Sequence, residues 1–239
     1  DCGLCRDHQQ RSCTVLVEVT RRCNLRCPVC FAASGESDHG DPGIREIRAA
    51  LERIAEMAPG CNLQLSGGEP TVRDDLPAIV ASARTAGLPF VQLNTNGIRL
   101  AGDDAYVEAL KAAGLASVFL QFDGTDDSTH RELRGRALLE EKLGAIEACE
   151  RNGIGVVLVP TLVPGVNTGQ IGEILRLAAR RSPAVRGVHF QPLSHFGRMP
   201  PRFMNSRRFT LPELMAAIEL QTEGALKVRD FRPPGCEHA

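Results

Sequence analysis

Short apolar runs alternate along the chain with longer stretches of helical period. Residues 14–20 (Thr-Val-Leu-Val-Glu-Val-Thr) are β-branched and short, which predicts a buried first strand. Residues 31–43 are small, polar and Gly-containing, and read as a loop. Ile44, Ile47, Leu51, Ile54 and Met57 then recur at helical spacing, and Pro59-Gly60 ends that helix. The alternation repeats. Strands are predicted at 62–65, 90–94, 116–122, 156–159 (continuing through 160–163) and 187–191. Helices are predicted from Asp74/Asp75 to Ala86, and at 106–113, 138–152, 169–180 and 211–222. Gly87, Gly114 and Gly153 mark stops, and Pro212 sits in a first turn, where it is tolerated. Six strand–helix alternations in this order predict an α/β fold, an open partial (βα)6 parallel barrel. Such sheets place their chemistry at the C-terminal ends of the strands. No internal repeat, low-complexity stretch or linker breaks the pattern.

Composition narrows the function. The 239 residues suffice for one large domain. A net charge of −1, no Trp and one Tyr offer neither bulk attraction nor stacking platforms for a nucleic acid. No apolar run approaches the ~20 residues of a transmembrane segment. Asp1-Cys2-Gly3-Leu4-Cys5 lacks the basic-then-apolar order of a signal peptide. Nine cysteines without export features point to a reducing, cytoplasmic setting and to metal ligation rather than disulfides. The ends read as cut. There is no initiator Met, and 233–239 stop inside what reads as another ligand motif, so a longer parent chain is expected.

The chemistry concentrates in Cys23-Asn24-Leu25-Arg26-Cys27-Pro28-Val29-Cys30, a C-x3-C-x2-C loop just after the first strand. Three thiols on so short a loop can reach three corners of an iron–sulfur cube but cannot close a four-ligand shell. A structural zinc site wants four ligands. The spacing therefore predicts a metal site with one position open to a substrate or cofactor. The alternatives are a zinc site completed from elsewhere and unrelated buried thiols. A second feature follows the second predicted strand: Gly67-Gly68-Glu69, where glycines permit close backbone approach and Glu69 can pair with an ammonium. Taken alone it could be an ordinary turn.

The three-cysteine loop together with Gly67-Gly68-Glu69 on the next strand resembles the signature of the radical S-adenosylmethionine (SAM) enzymes. The resemblance covers roughly residues 14–222 and implies the same six-unit barrel. It implies a [4Fe–4S] cluster on Cys23, Cys27 and Cys30, and SAM bound to the open iron through its amino and carboxylate groups. One electron, from a donor such as a ferredoxin or flavodoxin, then cleaves SAM to a 5′-deoxyadenosyl radical. Gly67, Gly68 and Glu69 would hold the SAM amino group. Asn96, in Thr95-Asn96-Gly97, would lie near the ribose, though Asn-Gly is also a common turn. Asp123 would bond a ribose hydroxyl or merely cap a turn. Arg134, in a His-x-x-x-Arg-Gly segment, would bring a bidentate fork to the SAM carboxylate, or face solvent. Val29, where many relatives carry an aromatic residue, would pack beside the adenine. Arg26 would tune the cluster or face solvent. Pro164-Gly165-Val166-Asn167 only partly echoes the family pattern.

Residues 1–13 and 223–239 read as short cysteine-bearing extensions. Cys2, Cys5, His8 and Cys13 have the spacing C-x2-C-x2-H-x4-C, which suits a zinc knuckle or an auxiliary iron–sulfur cluster completed by Cys236. Free thiols and a surface His8 are the simpler alternative. Cys61 and Cys149 read as packed thiols. Cys-Gly-Leu-Cys, the three-cysteine stretch and Gln-Phe-Asp-Gly together resemble a narrower branch, the class D methyltransferases and tetraether lipid synthases. That implies methylation or C–C bond formation on an unactivated carbon of a small heterocycle or a lipid chain, with peripheral membrane association in the lipid case. His195, Phe196 and Met199 are candidate substrate contacts, or simply pack the loop. Two other classes are a non-SAM iron–sulfur electron carrier, which gives Gly67-Gly68-Glu69 no job, and a zinc-binding interaction module.

Overall fold

The structure, a computed structural model, describes residues 12–35, 40–204 and 207–232. Strand β1 (Thr14–Thr20) leads into the three-cysteine loop, and helix α1 (Ile44–Met57) returns the chain. Then follow β2 (Asn62–Gly67), α2 (Leu76–Thr85), β3 (Phe90–Thr95), α3 (Ile98–Gly102), α4 (Asp104–Ala112) and β4 (Ser117–Gln121). The second half runs α5 (Asp127–Arg134), α6 (Leu139–Arg151), β5 (Gly155–Val159), β6 (Thr161–Leu162), α7 (Ile171–Arg180), β7 (Val185–Val188), β8 (Gln191–Pro192), α8 (Pro201–Met204) and α9 (Leu211–Gln221).

The main sheet has the order β1-β2-β3-β4-β5-β7, and every pairing is parallel. Strands laid down in sequence order, with crossovers of one hand, put all their helices on one face and curl the sheet toward a barrel. Leu63, Leu65, Val91, Leu93, Val118, Leu120, Val156 and Leu158 point to the helices and join Leu51, Ile79, Leu110 and Ile146 in one core. The alternate positions face the concave side; they are polar on β2 and β3 and mixed on β4 and β5, where Phe119, Val157 and Val159 join Ser117 and Gln121. Gln64 donates to Gln92 (2.7 Å), Gln92 to the Ser117 hydroxyl (3.2 Å) and Asn94 to the Ser66 hydroxyl (3.3 Å). No helix among the described residues is long and apolar enough to cross a membrane.

Three predicted elements come out differently. The fifth strand does not run through 163: Pro160 has no N–H for the ladder. The chain steps into a separate pairing of β6 with β8, while Gln191 N–H donates to the Pro160 carbonyl (2.9 Å). The sixth strand begins earlier, at Val185. The predicted 106–113 helix is preceded by α3, and Asp103 separates the two helices, its carboxylate accepting from Tyr106 N–H (3.0 Å). Helix α5, Asp-Ser-Thr-His-Arg-Glu-Leu-Arg, is short and almost wholly polar, so no apolar run announces it. Its start is fixed by Asp126, which accepts from Thr129 N–H (2.8 Å), and its end by Gly135 at φ 87°.

The barrel stays open between its edge strands β1 and β7. Above the gap the loops that follow them join. Cys30 and Arg198 exchange both backbone hydrogen bonds, each 2.8 Å.

Candidate active site

The site is built where β1, β2, β3 and β4 end. The three-cysteine loop leaves β1 and is met at once by the end of β2. Gly68 N–H donates to the Thr20 carbonyl and Glu69 N–H to the Arg22 carbonyl, both at 2.8 Å. This approach requires glycine. A Cβ at Gly67 would stand 2.1 Å from the Thr20 carbonyl oxygen, and one at Gly68 2.1 Å from that of Arg22. Gly67 also has φ 128°, which side-chain-bearing residues rarely adopt. A cavity of about 330 Å³ opens here, lined by Glu18, Thr20, Arg21, residues 32–35, Gly67 and Gly68.

Cys23, Cys27 and Cys30 are half-buried free thiols. Burial pushes the Cys23 thiol up to about 11, and its two neighbours add to the rise. Cys27 is also raised, chiefly by burial, with the positive charge of Arg134 opposing the rise. Leu25 N–H points at the Cys23 sulfur (3.4 Å). Among the described residues, no three Cys, His, Asp or Glu side chains converge as a single ion needs. Three thiols spread round one loop, with an N–H donor aimed at one of them, suit the thiolate corners of an iron–sulfur cluster, whose hydrogen bonds tune its potential. The donor set fits that group.

Two buried carboxylates organise the surroundings. Glu69 is 1% exposed and accepts from Thr71 N–H (3.1 Å), the Thr71 hydroxyl (2.7 Å), the Thr95 hydroxyl (2.6 Å) and Asn96 N–H (2.6 Å). Its carboxylate thus fastens β2 to the end of β3. Asn96 in turn donates from its side chain to Asn24 (2.7 Å), next to Cys23. Asp123 is fully buried and takes the Arg134 fork at 2.6 and 2.7 Å. Burial alone would push its carboxyl up, but Arg134 and Thr161 N–H hold it below the usual range. Arg134 also donates to the Val29 carbonyl (2.8 Å) and the Thr161 hydroxyl (3.0 Å).

Asp123 and Arg134, predicted independently, are therefore brought together. Arg134 is buried rather than solvent-facing, and its fork is directed at groups of the chain itself. The following turn is capped by Asp126, not Asp123. Val29 is buried among Leu133, Val163 and Phe203. Arg26 is exposed. His130, also 0% exposed, meets the Gly124 carbonyl through Nε2 (3.1 Å), while its Nδ1 is buried without a partner. Cys61 and Cys149 are buried. His195 contacts the Phe203 carbonyl (3.1 Å) and Met199 packs on the Val29 cluster, whereas Phe196 is exposed. Cys13 is exposed at the start of β1. Cys2, Cys5, His8 and Cys236 lie outside the described residues.

Three residues were not foreseen. Lys142 on α6 is fully buried; its place among Leu138, Ile146 and Cys149 on the core-facing stripe was the signal for it. Arg198 clamps the cysteine loop from the far edge of the barrel, donating to the carbonyls of Cys27 (2.8 Å), Ser34 (2.8 Å) and Ala33 (3.4 Å). Asn167 is 0% exposed and ties the Asp123 carbonyl to that of Thr161, both at 2.8 Å. Nothing local in the sequence announces Arg198, and Asn167 stands in the segment that only partly echoes the family pattern, which gave it no role.

An open parallel barrel with three thiols on the loop after its first strand defines a class. The radical SAM superfamily model matches residues 17–178, and the chain belongs to that superfamily. It is 42% identical to the 7,8-dihydro-6-hydroxymethylpterin dimethyltransferase of Methanocaldococcus jannaschii, over 98% of this chain and 46% of that one. It is 31% identical to the GTP 3′,8-cyclase of Paenarthrobacter nicotinovorans, over 80% and 54%. The chain thus spans about half the length of these curated relatives. Among solved structures it resembles Streptococcus suis SuiB bound to S-adenosylmethionine, with TM-score 0.70, 14% identity and coverage of 90% and 48%. It also resembles native anSMEcpe with bound AdoMet, with TM-score 0.64, 15% identity and coverage of 90% and 63%. At such identities these two likenesses concern the fold. The chain is a radical SAM enzyme, and its family's cofactors are a [4Fe–4S] cluster and SAM.

Proposed function

We propose that residues 14–222 form a catalytic core in which Cys23, Cys27 and Cys30 ligate the cluster. Gly67, Gly68, Glu69, Asn96 and Asp123 build the wall that faces SAM, with Val29 beside the adenine. When bound, the cluster and SAM supply the reductive cleavage that yields a 5′-deoxyadenosyl radical. The residues position and shield. The glycine pair brings backbone against the cysteine loop, Glu69 fixes the β3 turn, and Arg134 holds Asp123, the Val29 carbonyl and the Thr161 hydroxyl in one arrangement. The observation that carries this reading is the junction at Thr20 and Arg22, where the end of β2 hydrogen-bonds the root of the cysteine loop with no space for a Cβ.

For the substrate, we infer a polar nitrogen heterocycle of the pterin kind, modified by methylation or C–C bond formation. The support is the 42% identity to the pterin dimethyltransferase and the polar part of the concave face, Gln64, Ser66, Gln92, Asn94 and Ser117. Such a surface offers hydrogen bonds to ring nitrogens, whereas a lipid chain asks for apolar lining. A ferredoxin or flavodoxin is the proposed electron donor.

The test is 5′-deoxyadenosine formation from SAM by anaerobically reconstituted, dithionite-reduced protein, beside Cys27→Ala. Formation in the parent and none in the variant is expected. An iron-loaded parent protein that neither binds nor cleaves SAM would overturn the assignment. Stimulation by 7,8-dihydro-6-hydroxymethylpterin, with methylated product, is expected for the substrate reading; turnover on a lipid alone would replace it.

A further inference from the structure

Among the buried charges of the described residues, Lys142 has no part in the proposed chemistry. Lys142 is 0% exposed, and lysine is almost never fully buried unless paired. Most core-facing lysines turn their ammonium out to water. Here Nζ instead donates to the Asn96 carbonyl (2.5 Å) and to the Gln121 side-chain carbonyl (2.9 Å). Burial pushes the ammonium down to about 8, with Asp123 and Glu69 opposing the fall.

Those two acceptors belong to different braces of the cysteine loop. The first runs from Glu69 through Asn96 to Asn24, beside Cys23. The second runs from Gln121 through Asp123 and Arg134 to the Val29 carbonyl, between Cys27 and Cys30. Lys142 joins them into one continuous hydrogen-bonded path. It also balances charge, since Glu69 and Asp123 are matched by Arg134 and Lys142. A buried polar network of this kind is worth more than its separate bonds when every member is satisfied.

We propose that Lys142 is a positioning residue that couples the two braces, setting both the SAM-facing wall and the electrostatic environment of the three-cysteine loop. It is distinct from any group that touches the reacting atoms. The inference rests on Cys23, Cys27 and Cys30 being the cluster ligands.

Lys142→Met keeps the length of the side chain and removes the donors and the charge. Lys142→Arg keeps both. In reconstituted protein, Lys142→Met should retain iron, bind SAM about tenfold or more weakly, the scale of losing an outer-shell partner, and shift the cluster midpoint to more negative potential. SAM binding is read from the perturbation of the reduced cluster's EPR spectrum. Lys142→Arg should restore both quantities in large part. Gln121→Leu cuts the path from the other side and leaves the buried charge in place. It should weaken SAM binding in the same direction even if Lys142→Met fails to fold. Unchanged SAM affinity and midpoint potential in a folded, iron-loaded Lys142→Met, or unchanged affinity in Gln121→Leu, would overturn the proposal. A parent cluster whose spectrum ignores SAM would instead remove the site assignment, and this inference with it.

Discussion

The two environments of the same strands differ in how they are held together. On the helix side, Leu63, Leu93, Leu120 and Leu158 sit in an apolar core where each residue loses only its own contacts when trimmed. At the C-terminal end, Glu69, Asp123, Arg134 and Lys142 are as deeply buried but are ionic. There, removal of one member leaves its partner desolvated and unpaired, which costs more than the bond was worth. The first region is roughly additive. The second is a unit, which suits a site that must hold one geometry.

The sharpest test is Arg134→Met, which strands the Asp123 carboxylate. A loss of about 3–5 kcal/mol is expected from denaturant unfolding of the metal-free chain. Adding Asp123→Asn should cost less than the sum of the two single changes. Leu51→Ala, on the helix side, should cost about 2–5 kcal/mol. Because Leu51 shares no partner with the Asp123 pair, its effect should add to Arg134→Met within about 0.5 kcal/mol. Strong coupling between them would erase the contrast.

Arg198→Ala removes three bonds to loop carbonyls, a net effect of about 1–3 kcal/mol. Amide exchange should accelerate in residues 21–35 and remain unchanged in α1. Acid provides a finer probe. Asp123 has a lowered folded pKa, so its contribution is present above the ordinary value of 3.8 and is lost as pH falls through the lower folded value. The acid limb of stability below 3.8 should be shallower in Asp123→Asn. Smallest of all, Arg151→Ala breaks an exposed pair with Asp104 (2.6 Å) and should change stability by less than about 0.5 kcal/mol.

The readable parts of the site were those written in contiguous residues. The C-x3-C-x2-C loop and Gly67-Gly68-Glu69 carry their chemistry in spacing, and Asp123 and Arg134 were found singly. Their pairing was not, because two motifs that each look outward for a ligand give no hint that they satisfy one another. Lys142 was legible in principle, as a lysine on an apolar stripe. Arg198 was not: its acceptor Cys27 lies 171 residues away in the chain.

The sequence by itself determined the alternation of strands and helices, the loop that bears the thiols and the places where only glycine fits. Period, turn chemistry and backbone conformation are local properties, and local residues encode them. Only the tertiary structure decided which buried charges neutralise which, and how the last loop closes over the first. Those outcomes depend on desolvation and on distances between strand ends. Both quantities exist only once the sheet has curled and brought remote segments together.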